Sequence, residues 1–514
     1  MKQENDIDRS GRSRLASNLA VTWGAHFLVL VAGFIVPRQI SDNIGQEALG
    51  VWDVCWSIIR YISLSNLGFV GAIGRYTSLY QAGDASSKIT VMMATAVLWQ
   101  LGLGAFVLLA TIVAAAFVPG VLANVDLAVQ ETMFLLVLLL GSSLAIEMSS
   151  DFARGVLTGY HRWDINSGIA ALTETLTAIG LIVCLLAGGG LVSLGIVVLV
   201  FSIVAALLRV YASSKFFDYR ELSLGLANWS EGVKLAVFGF KQSAVNLPIV
   251  LTTQSFVIFI GVVAGPAVLA VYSRPLALAT HIDVLVRKYT NMLVSVSGSL
   301  VGAGDSGQVR DLFLQSSRYT AAIAFPMLAM LAIYGDTIVT VWMGSEYVSP
   351  GLTFVLGIGF ALPLLGSASV HVLTGANQHG VIAKFSNVLM LVLLPIALFA
   401  LNDRTLSLVE VAAAMVIVLS TIRGLVPIAI ALRRLEVSVA QYAKEALAIP
   451  VLAVVMLVIV SATVNGQFPA NSLTAMFVGG GLCASTMLAI YWALLLDKST
   501  RQSIVRRFNL NAAR

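Results

Sequence analysis

The chain has 514 residues, of which 58% are hydrophobic and 11% are charged, and its formal net charge is +5. Soluble domains carry about 25% charged residues, so a water-soluble fold of this length could not cover its surface with so few charges. Lipid is the solvent that suits this composition. The basic residues are spread over loops without a long basic patch, so the sequence does not indicate a nucleic-acid partner.

Apolar runs of about 20 residues, the length that crosses the hydrocarbon, recur along the whole chain. The first run is too long for a signal-peptide core of roughly 7–15 residues, so we expect it to remain as the first helix. We therefore predict an all-α polytopic membrane protein of about 14 transmembrane helices. The predicted spans are 15–37, 47–69, 90–117, 131–154, 165–188, 191–212, 235–262, 267–290, 313–335, 351–373, 382–402, 407–431, 443–464 and 473–496.

The basic residues lie mostly on one side of these spans. Lysine and arginine are concentrated in the amino-terminal tail, in the connections from even to odd spans and in the carboxyl-terminal tail, whereas the opposite loops hold Arg38 and Arg404. Basic loops stay in the cytoplasm during insertion. The sequence therefore predicts that both termini are cytoplasmic.

Three short sequences recur at an offset of about 216–221 residues. GQEALGVWD at 45–53 corresponds to GPAVLAVYS at 265–273, AGD at 82–84 to AGD at 303–305, and VLTG at 156–159 to VLTG at 372–375. This order predicts two duplicated, pseudo-symmetric six-helix lobes of the same orientation, a transporter plan in which the substrate site lies between the repeats. The predicted divisions are an amino-terminal lobe (1–212), a cytoplasmic linker (213–234), a carboxyl-terminal lobe (235–434), helices 13 and 14 (435–496) and a basic cytoplasmic tail (497–514).

Ionisable residues inside the predicted spans are the candidate site residues, because a charge at mid-bilayer costs at least about 2.5–3.5 kcal/mol. Guanidinium groups bind phosphate or carboxylate in a bidentate fashion. We therefore expect a hydrated cavity for an anionic substrate, with candidate substrate-binding residues Arg60, Arg274, Lys241, Arg318 and Arg423. The candidates for coupling to protons or sodium ions are Glu147, Glu174, Asp53 and His26.

Structural explanations of the same residues remain open. The basic groups can pair with the acids and tie helices together, and Lys241, Arg318 and Arg423 can reach the inner interface. His26 can be a packing residue. Interior prolines at 248, 363, 395 and 427 predict kinks, which are either hinges or static bends.

Motifs for chemistry are absent from the sequence. There is no phosphate-binding loop, no HExxH and no GxSxG, and the three cysteines lie in apolar runs without metal-binding spacing. We therefore expect a transporter rather than an enzyme, with no cofactor and no metal, driven by gradients, membrane potential or substrate supply.

Two stretches carry a family resemblance. RQISDNIGQEALGVWDVCWSIIRYISLSNLGFVGAIGRYTSLYQAGD at 38–84 and ARGVLTGYHRWDINS at 153–167 resemble bacterial polysaccharide (O-antigen or exopolysaccharide repeat-unit) flippases of the multidrug/oligosaccharidyl-lipid/polysaccharide transporter superfamily. The resemblance implies a multi-pass protein of the bacterial inner membrane. Such a protein moves undecaprenyl-diphosphate-linked oligosaccharides from the cytoplasmic to the periplasmic leaflet by alternating access, in lipopolysaccharide or exopolysaccharide export. It further implies a polysaccharide polymerase and a chain-length regulator as partners.

The resemblance extends to individual residues only in part. Lipid II flippases of this superfamily carry cavity arginines on helices 1, 2 and 8, and Arg60 and Arg274 fall on predicted helices 2 and 8. Helix 1 departs from the pattern, since His26 lies at its midpoint and Arg38 at its outer end. Helices 13 and 14 correspond to those that form a groove for the lipid tail in these relatives.

Two other functions compete with the flippase. A drug/cation antiporter of the same fold would have twelve helices and a cavity of acids and aromatics. A membrane polysaccharide polymerase would have a long periplasmic loop. The intramembrane arginines and the short outside loops favour the flippase over both.

Overall fold

The computed structural model describes residues 31–66, 68–82, 86–121, 126–302, 304, 306–402, 407–467, 473–495 and 501. These residues are almost entirely helical and contain no strand. The chain divides into two compact units, unit 1 at Met1–Ala270 and unit 2 at Val271–Arg514. The predicted domain boundaries come from the sequence repeat, whereas the two units are defined by contacts within each of them. The predicted boundaries therefore stay a prediction.

Unit 1 contains nine helices within its described residues and the start of a tenth. Short 3-10 turns lie at Leu64–Asn66, Tyr219–Glu221 and Leu224–Leu226. The helices are α1 (residues 31–44), α2 (Gln46–Ser63), α3 (Phe69–Ala82), α4 (Ser86–Val121), α5 (Leu127–Gly159), α6 (Trp163–Leu186), α7 (Leu191–Ser213), α8 (Trp229–Ser243), α9 (Leu247–Val263) and α10 (Pro266–Gly302), which continues into unit 2.

The helices of unit 2 differ in how much of their surface the protein covers. In the most apolar stretch of α12 (Leu352–Gly375) 61% of the residues are buried, whereas in that of α16 (Leu473–Ile490) only 11% are buried. Peripheral helices keep apolar side chains outward because lipid replaces water there. The helices of unit 2 after α10 are α11 (Ser306–Met343), α12 (Leu352–Gly375), α13 (His379–Asn402), α14 (Leu408–Arg434), α15 (Val439–Asn465) and α16 (Leu473–Ile490).

Eleven helices of the described chain are long and apolar enough to cross a membrane. The predicted all-helical polytopic fold is therefore confirmed, and the predicted spans 267–290 and 313–335, which carry several polar residues, lie within the continuous helices α10 and α11. These two helices have 37 and 38 residues, or roughly 55 Å each. That length exceeds a hydrocarbon core of about 30 Å, so they tilt or extend beyond it.

Two predicted spans are broken rather than continuous. The second span, 47–69, ends in a break at Leu64–Asn66 that separates α2 from α3, and the seventh, 235–262, is divided into α8 and α9 just before Pro248. The two breaks lie close together. Gly68 has a positive φ of 67°, and a Cβ placed there would come within 2.8 Å of the carbonyl oxygen of Gly239. Interrupted spans of this kind form the binding sites of many transporters.

The duplication predicted from the sequence has a structural counterpart in the helix ends. After VLTG at 156–159, His161 adopts φ 57° and the Arg162 amide donates to the carbonyl of Leu157 at 2.8 Å. After VLTG at 372–375, Asn377 also adopts φ 57° and the Gln378 amide donates to the carbonyl of Leu373 at 2.8 Å. The same left-handed cap therefore ends α5 in unit 1 and α12 in unit 2.

The start of α10 packs against α2 through a glycine. A Cβ on Gly50 would lie 1.8 Å from the carbonyl oxygen of Pro266, a separation that no side chain can occupy. Gly50→Ala must therefore push the two helices apart, at a cost of about 1–3 kcal/mol. We expect a melting temperature several degrees lower for purified Gly50→Ala in detergent, measured by intrinsic fluorescence.

Gly102→Ala is the matched control, because Gly102 is exposed in the middle of α4 and has open space around its Cα. Alanine favours a helix interior over glycine by up to about 1 kcal/mol, so this variant should melt at the wild-type temperature or above. Equal melting of the two variants would contradict the close α2–α10 contact.

Candidate functional site

Unit 1 holds a group of ionisable side chains that we call the carboxylate cluster: Glu147, Asp151, Arg154, Glu174 and Arg209. One terminal nitrogen of Arg154 lies 2.5 Å from Glu147 and 2.9 Å from Asp151, and Arg209 lies 3.9 Å from Glu147. Glu174 interacts electrostatically with Arg209, Glu147 and Arg154. Three carboxylates therefore face two guanidinium groups, which leaves a surplus of negative charge.

The spacing along α5 explains how the carboxylate cluster forms. Positions 147, 151 and 154 differ by four and three residues, so their side chains lie on one face of the helix. Asp151 is only 2% exposed. Its second oxygen accepts a hydrogen bond of 3.0 Å from the amide of Asn66, which lies in the break of the second span. The interruption between α2 and α3 thus supplies a polar partner to a buried carboxylate.

Unit 2 holds a second group, the arginine cluster: Asp283 and Arg287 on α10, His371 on α12 and Arg423 on α14. Arg423 binds Asp283 with both terminal nitrogens, one of them at 2.9 Å, and Arg287 lies 3.5 Å from the same carboxylate. His371 interacts electrostatically with all three groups, and its Nδ1 lies 2.6 Å from the carbonyl oxygen of Ser367. One carboxylate therefore serves two guanidinium groups, which leaves a surplus of positive charge.

The two arginines of this cluster differ in accessibility. The side chain of Arg423 is 5% exposed, whereas that of Arg287 is 37% exposed. Arg423 therefore fixes the carboxylate, and Arg287 keeps part of its guanidinium available to a ligand.

The local structure of α14 positions Arg423. Pro427 has no amide hydrogen, so the carbonyl of Arg423, four residues earlier, cannot make its helical hydrogen bond. The helix widens to a π-helical segment at Ser420–Leu425, a distortion that is common at functional sites. A Cβ on Gly366 would lie 2.0 Å from the Arg423 carbonyl oxygen, so only glycine lets α12 come this close to the carbonyl. The kink predicted at Pro427 therefore coincides with the residue that binds Asp283.

The other candidate substrate-binding residues lie in different environments. Arg60 is exposed in the last turn of α2, and Arg274 is buried in α10 with 4% exposure. Lys241 is exposed on α8. The Nε of Arg318 donates to the carbonyl of Glu445 at 2.5 Å, which joins α11 to α15. Substrate contact by these four residues stays a prediction.

The candidate coupling residues also separate. Glu147 and Glu174 belong to the carboxylate cluster, as described above. Asp53 is half-buried on α2, where its backbone carbonyl accepts a hydrogen bond from Ser57. His26 lies outside the described residues.

Sequence reasoning missed several members of the two clusters as site residues. Arg154 was assigned to a loop because the predicted span ended at 154, whereas α5 continues to Gly159. Arg209, Arg287 and His371 were not selected at all. The spacing of Asp283 and Arg287, four residues apart on one helix, is the signal that could have identified the arginine cluster.

Comparison with known proteins identifies the family. Residues 45–350 match the model of a family described as polysaccharide biosynthesis protein. The chain belongs to this family. No curated protein matches it in sequence.

The fold of this family member resembles that of solved transporters. An inward-facing multidrug resistance MATE family transporter of the MOP superfamily matches with a TM-score of 0.65 and 15% identity, over 79% of this chain and 94% of that one. The lipid II flippase MurJ, in an inward closed conformation, matches with a TM-score of 0.61 and 13% identity, over 93% of this chain and all of that one (100%). A MOP superfamily transporter from Pyrococcus furiosus matches with a TM-score of 0.59 and 15% identity, over 85% and 99% of the two chains.

The family match and these structural matches together confirm the predicted resemblance, and the structures show that the chain has the fold of MATE transporters and MurJ. They also agree with the predicted multi-pass membrane topology of about 14 helices.

Asp283 should be essential for the stability of unit 2. Asp283→Asn leaves two guanidinium groups without their carboxylate, and removing one partner of a buried ion pair costs about 3–5 kcal/mol. We expect a clear loss of thermal stability in detergent, partly restored in Asp283→Asn/Arg423→Met, where the most buried unpaired charge is also removed. Asp311→Asn, at an exposed position of α11, should change little. An unchanged melting temperature in Asp283→Asn would contradict the role of this carboxylate.

Proposed function

We propose that this protein is a lipid-linked oligosaccharide flippase. It moves undecaprenyl-diphosphate-linked repeat units from the cytoplasmic to the periplasmic leaflet of the bacterial inner membrane by alternating access, and it carries out no chemical reaction. Membership of a polysaccharide biosynthesis family supports the saccharide substrate. The similarity to MurJ, a lipid II flippase by its description, supports transport of a lipid-linked molecule.

The observation that carries this proposal is the surplus guanidinium of the arginine cluster. A diphosphate cannot enter a medium of low dielectric without compensating cations. Arg287 lies in a membrane-spanning helix, shares the carboxylate of Asp283 with Arg423, and remains 37% exposed. It is therefore suited to bind an anionic head at membrane depth, where a fixed cation interacts more strongly than it does in water.

The remaining cations are assigned roles around this centre. Arg60, Arg274, Lys241 and Arg318 are proposed to contact the substrate at other stages of transport, and Arg423 to position Asp283 and Arg287. In the same proposal, α15 and α16 hold the lipid tail, consistent with the low burial of α16.

The carboxylate cluster is proposed to couple transport to a cation. Its surplus negative charge would bind a proton or a sodium ion, and Glu147, with a side chain that is 43% exposed, is accessible to one. Glu174 is assigned the same function, and Asp53 and His26 are additional candidates.

A drug/cation antiporter is the second candidate, because multidrug transporters share the fold. The surplus positive charge of the arginine cluster opposes it, since a cationic drug would be repelled there. The Pyrococcus furiosus relative is described as having a binding pocket of reverse polarity that suggests a different function. Pocket charge can thus distinguish functions within one fold. A membrane polymerase has no observation in its favour.

Loss of the proposed substrate-binding cations should stop polymer export. We expect that Arg287→Gln and Arg60→Ala, at exposed or partly exposed cations, and Arg274→Ala, at a buried one, each reduce surface polysaccharide at least tenfold in a strain that lacks the chromosomal gene, since each removes a charge that the diphosphate needs. The measurement is immunoblotting of surface polymer, with membrane insertion confirmed on the same cells. Lys288→Gln removes a neighbouring charge on α10 and should export normally. Wild-type export in all three arginine variants would remove the flippase proposal.

Neutralising the carboxylate cluster should affect coupling rather than binding. In vesicles reconstituted with the protein, Glu147→Gln/Glu174→Gln should flip a fluorescent polyprenyl-diphosphate saccharide without responding to an imposed proton or sodium gradient. Wild-type protein should respond to one of the two gradients. Glu410→Gln, at an exposed position in the first turn of α14, serves as the control. A gradient response that survives the double substitution would exclude this cluster as the coupling site.

A further inference from the structure

A groove of about 580 Å³ lies along α8 in unit 1, at the end of the unit that the basic loops predict to be cytoplasmic. Its lining includes Tyr76 on α3 and Trp229, Val233, Lys234, Val237 and Lys241 on α8. The volume falls in the range of about 300–1,000 Å³ that is typical of small-molecule sites. None of the residues used to argue the flippase from the arginine cluster belongs to it.

The sequence of α8 places the groove-lining residues on one side of the helix. Residues 229, 233, 237 and 241 are spaced by four and form one row along the helix. Lys234 and Lys241 differ by seven residues, which places two cations on the same side of the helix, separated by two turns or roughly 10 Å. An anionic ligand therefore meets positive charge at two successive depths.

The charges around the groove sum to an excess of cations. Lys234 pairs with Glu231 at 2.6 Å, and Glu231 also accepts a hydrogen bond of 3.4 Å from Tyr80. The guanidinium of Arg75 lies 4.6 Å above the ring of Phe238, which also lines the groove. The groove itself is lined by the two cations Lys234 and Lys241, whereas Glu231 lies beside it, so its charge favours an anion.

Aromatic rings give the groove a second recognition element. Trp229 is 75% exposed although one side of its ring packs against Trp99 at 5.0 Å between centroids. Its other side is available for stacking. The electron-rich face of an aromatic ring attracts groups with a partial positive charge, and the C–H bonds on one face of a sugar ring are such groups. An ordinary anionic phospholipid could bind the same lysines, but it has no sugar ring to stack on Trp229.

The groove also follows the two interrupted spans. It lies between α3, which follows the break near Gly68, and α8, which precedes the break after Ser243. Interrupted spans bring substrate sites into the membrane in other transporters. The groove thus extends from the predicted interface toward the membrane interior rather than along the surface alone.

We propose that this groove is a loading site on the cytoplasmic side for the phosphorylated, sugar-bearing head of the lipid-linked substrate. Lys234 and Lys241 bind its phosphates, and Trp229 stacks on its first sugar. This proposal rests on the flippase function and adds a first binding step that is separate from the arginine cluster.

The test measures dissociation constants of the full-length protein in detergent for three probes. They are a short-chain polyprenyl diphosphate bearing one N-acetylglucosamine, the same polyprenyl diphosphate without sugar, and phosphatidylglycerol. Lys234→Gln/Lys241→Gln should bind both diphosphates at least about tenfold more weakly, because both charge-assisted contacts to the phosphates are removed. Trp229→Leu should weaken only the sugar-bearing probe, and Trp229→Phe should retain its affinity.

Lys88→Gln/Lys215→Gln removes two exposed lysines of unit 1 outside the groove and should bind all probes as the wild type does. Every substituted side chain is exposed, so melting temperatures should match the wild type. Equal weakening of phosphatidylglycerol and both diphosphates, with no effect of Trp229→Leu, would overturn the proposal in favour of a general anionic-lipid surface.

The outcomes also separate the groove from the flippase function. Normal diphosphate binding in the lysine variant, together with weakened binding in Arg287→Gln, would overturn the loading site alone. Failure of the wild-type protein to bind either diphosphate would overturn both.

Discussion

Each charged side chain in a membrane-spanning helix needs a counter-charge, because hydrocarbon offers no water to screen it, and this requirement organises the interior of both units. In unit 2, Asp283 receives both terminal nitrogens of Arg423 and a longer contact from Arg287. In unit 1, Arg154 joins two carboxylates of its own helix. The charges do not balance within either cluster: carboxyl groups outnumber guanidinium groups in the carboxylate cluster, and the reverse holds in the arginine cluster. A buried ion pair contributes little net stability compared with apolar packing, so the retained surplus is better explained by ligand binding than by folding.

The backbone obeys the same constraint as the side chains. Pro427 leaves the carbonyl of Arg423 without its helical partner. At this point α14 contains a π-helical segment, and α12 approaches closely at Gly366. Non-helical backbone at membrane depth is tolerated only where protein or water satisfies it. The break between α2 and α3 is used in this way, because Asn66 within it binds the buried Asp151. Departures from regular helix therefore occur where polar groups are held, and the two features depend on each other.

The large-scale fold was predictable because it follows from properties that each segment carries alone. Apolar length defines the spans, and the recurrence of VLTG marks two helix ends whose left-handed caps, at His161 and Asn377, have the same φ of 57°. The interruption at Leu64–Asn66 was not predicted, since the flanking residues are apolar enough to continue a span, whereas Pro248 predicted a kink at the point where α8 and α9 separate. Partners such as Arg209 and His371 were also missed, because a pair formed by different helices leaves no local pattern. Only the pairs within one helix, such as Asp283 with Arg287, had a readable spacing.

The opposite surpluses of the two clusters suggest how a single fold can exchange an anion for a cation. A ligand shifts a conformational equilibrium only by the difference in its affinity for the two states. Under the proposed function, a diphosphate near Arg287 meets the positive surplus of the arginine cluster, and a proton or sodium ion near Glu147 meets the negative surplus of the carboxylate cluster. Pairing opposite charges lowers the cost of removing them from water, so each ligand favours the state in which its own cluster is less hydrated. Two ligands of opposite charge can then bias one equilibrium without contacting each other, which makes coupling a consequence of where the unpaired charges lie.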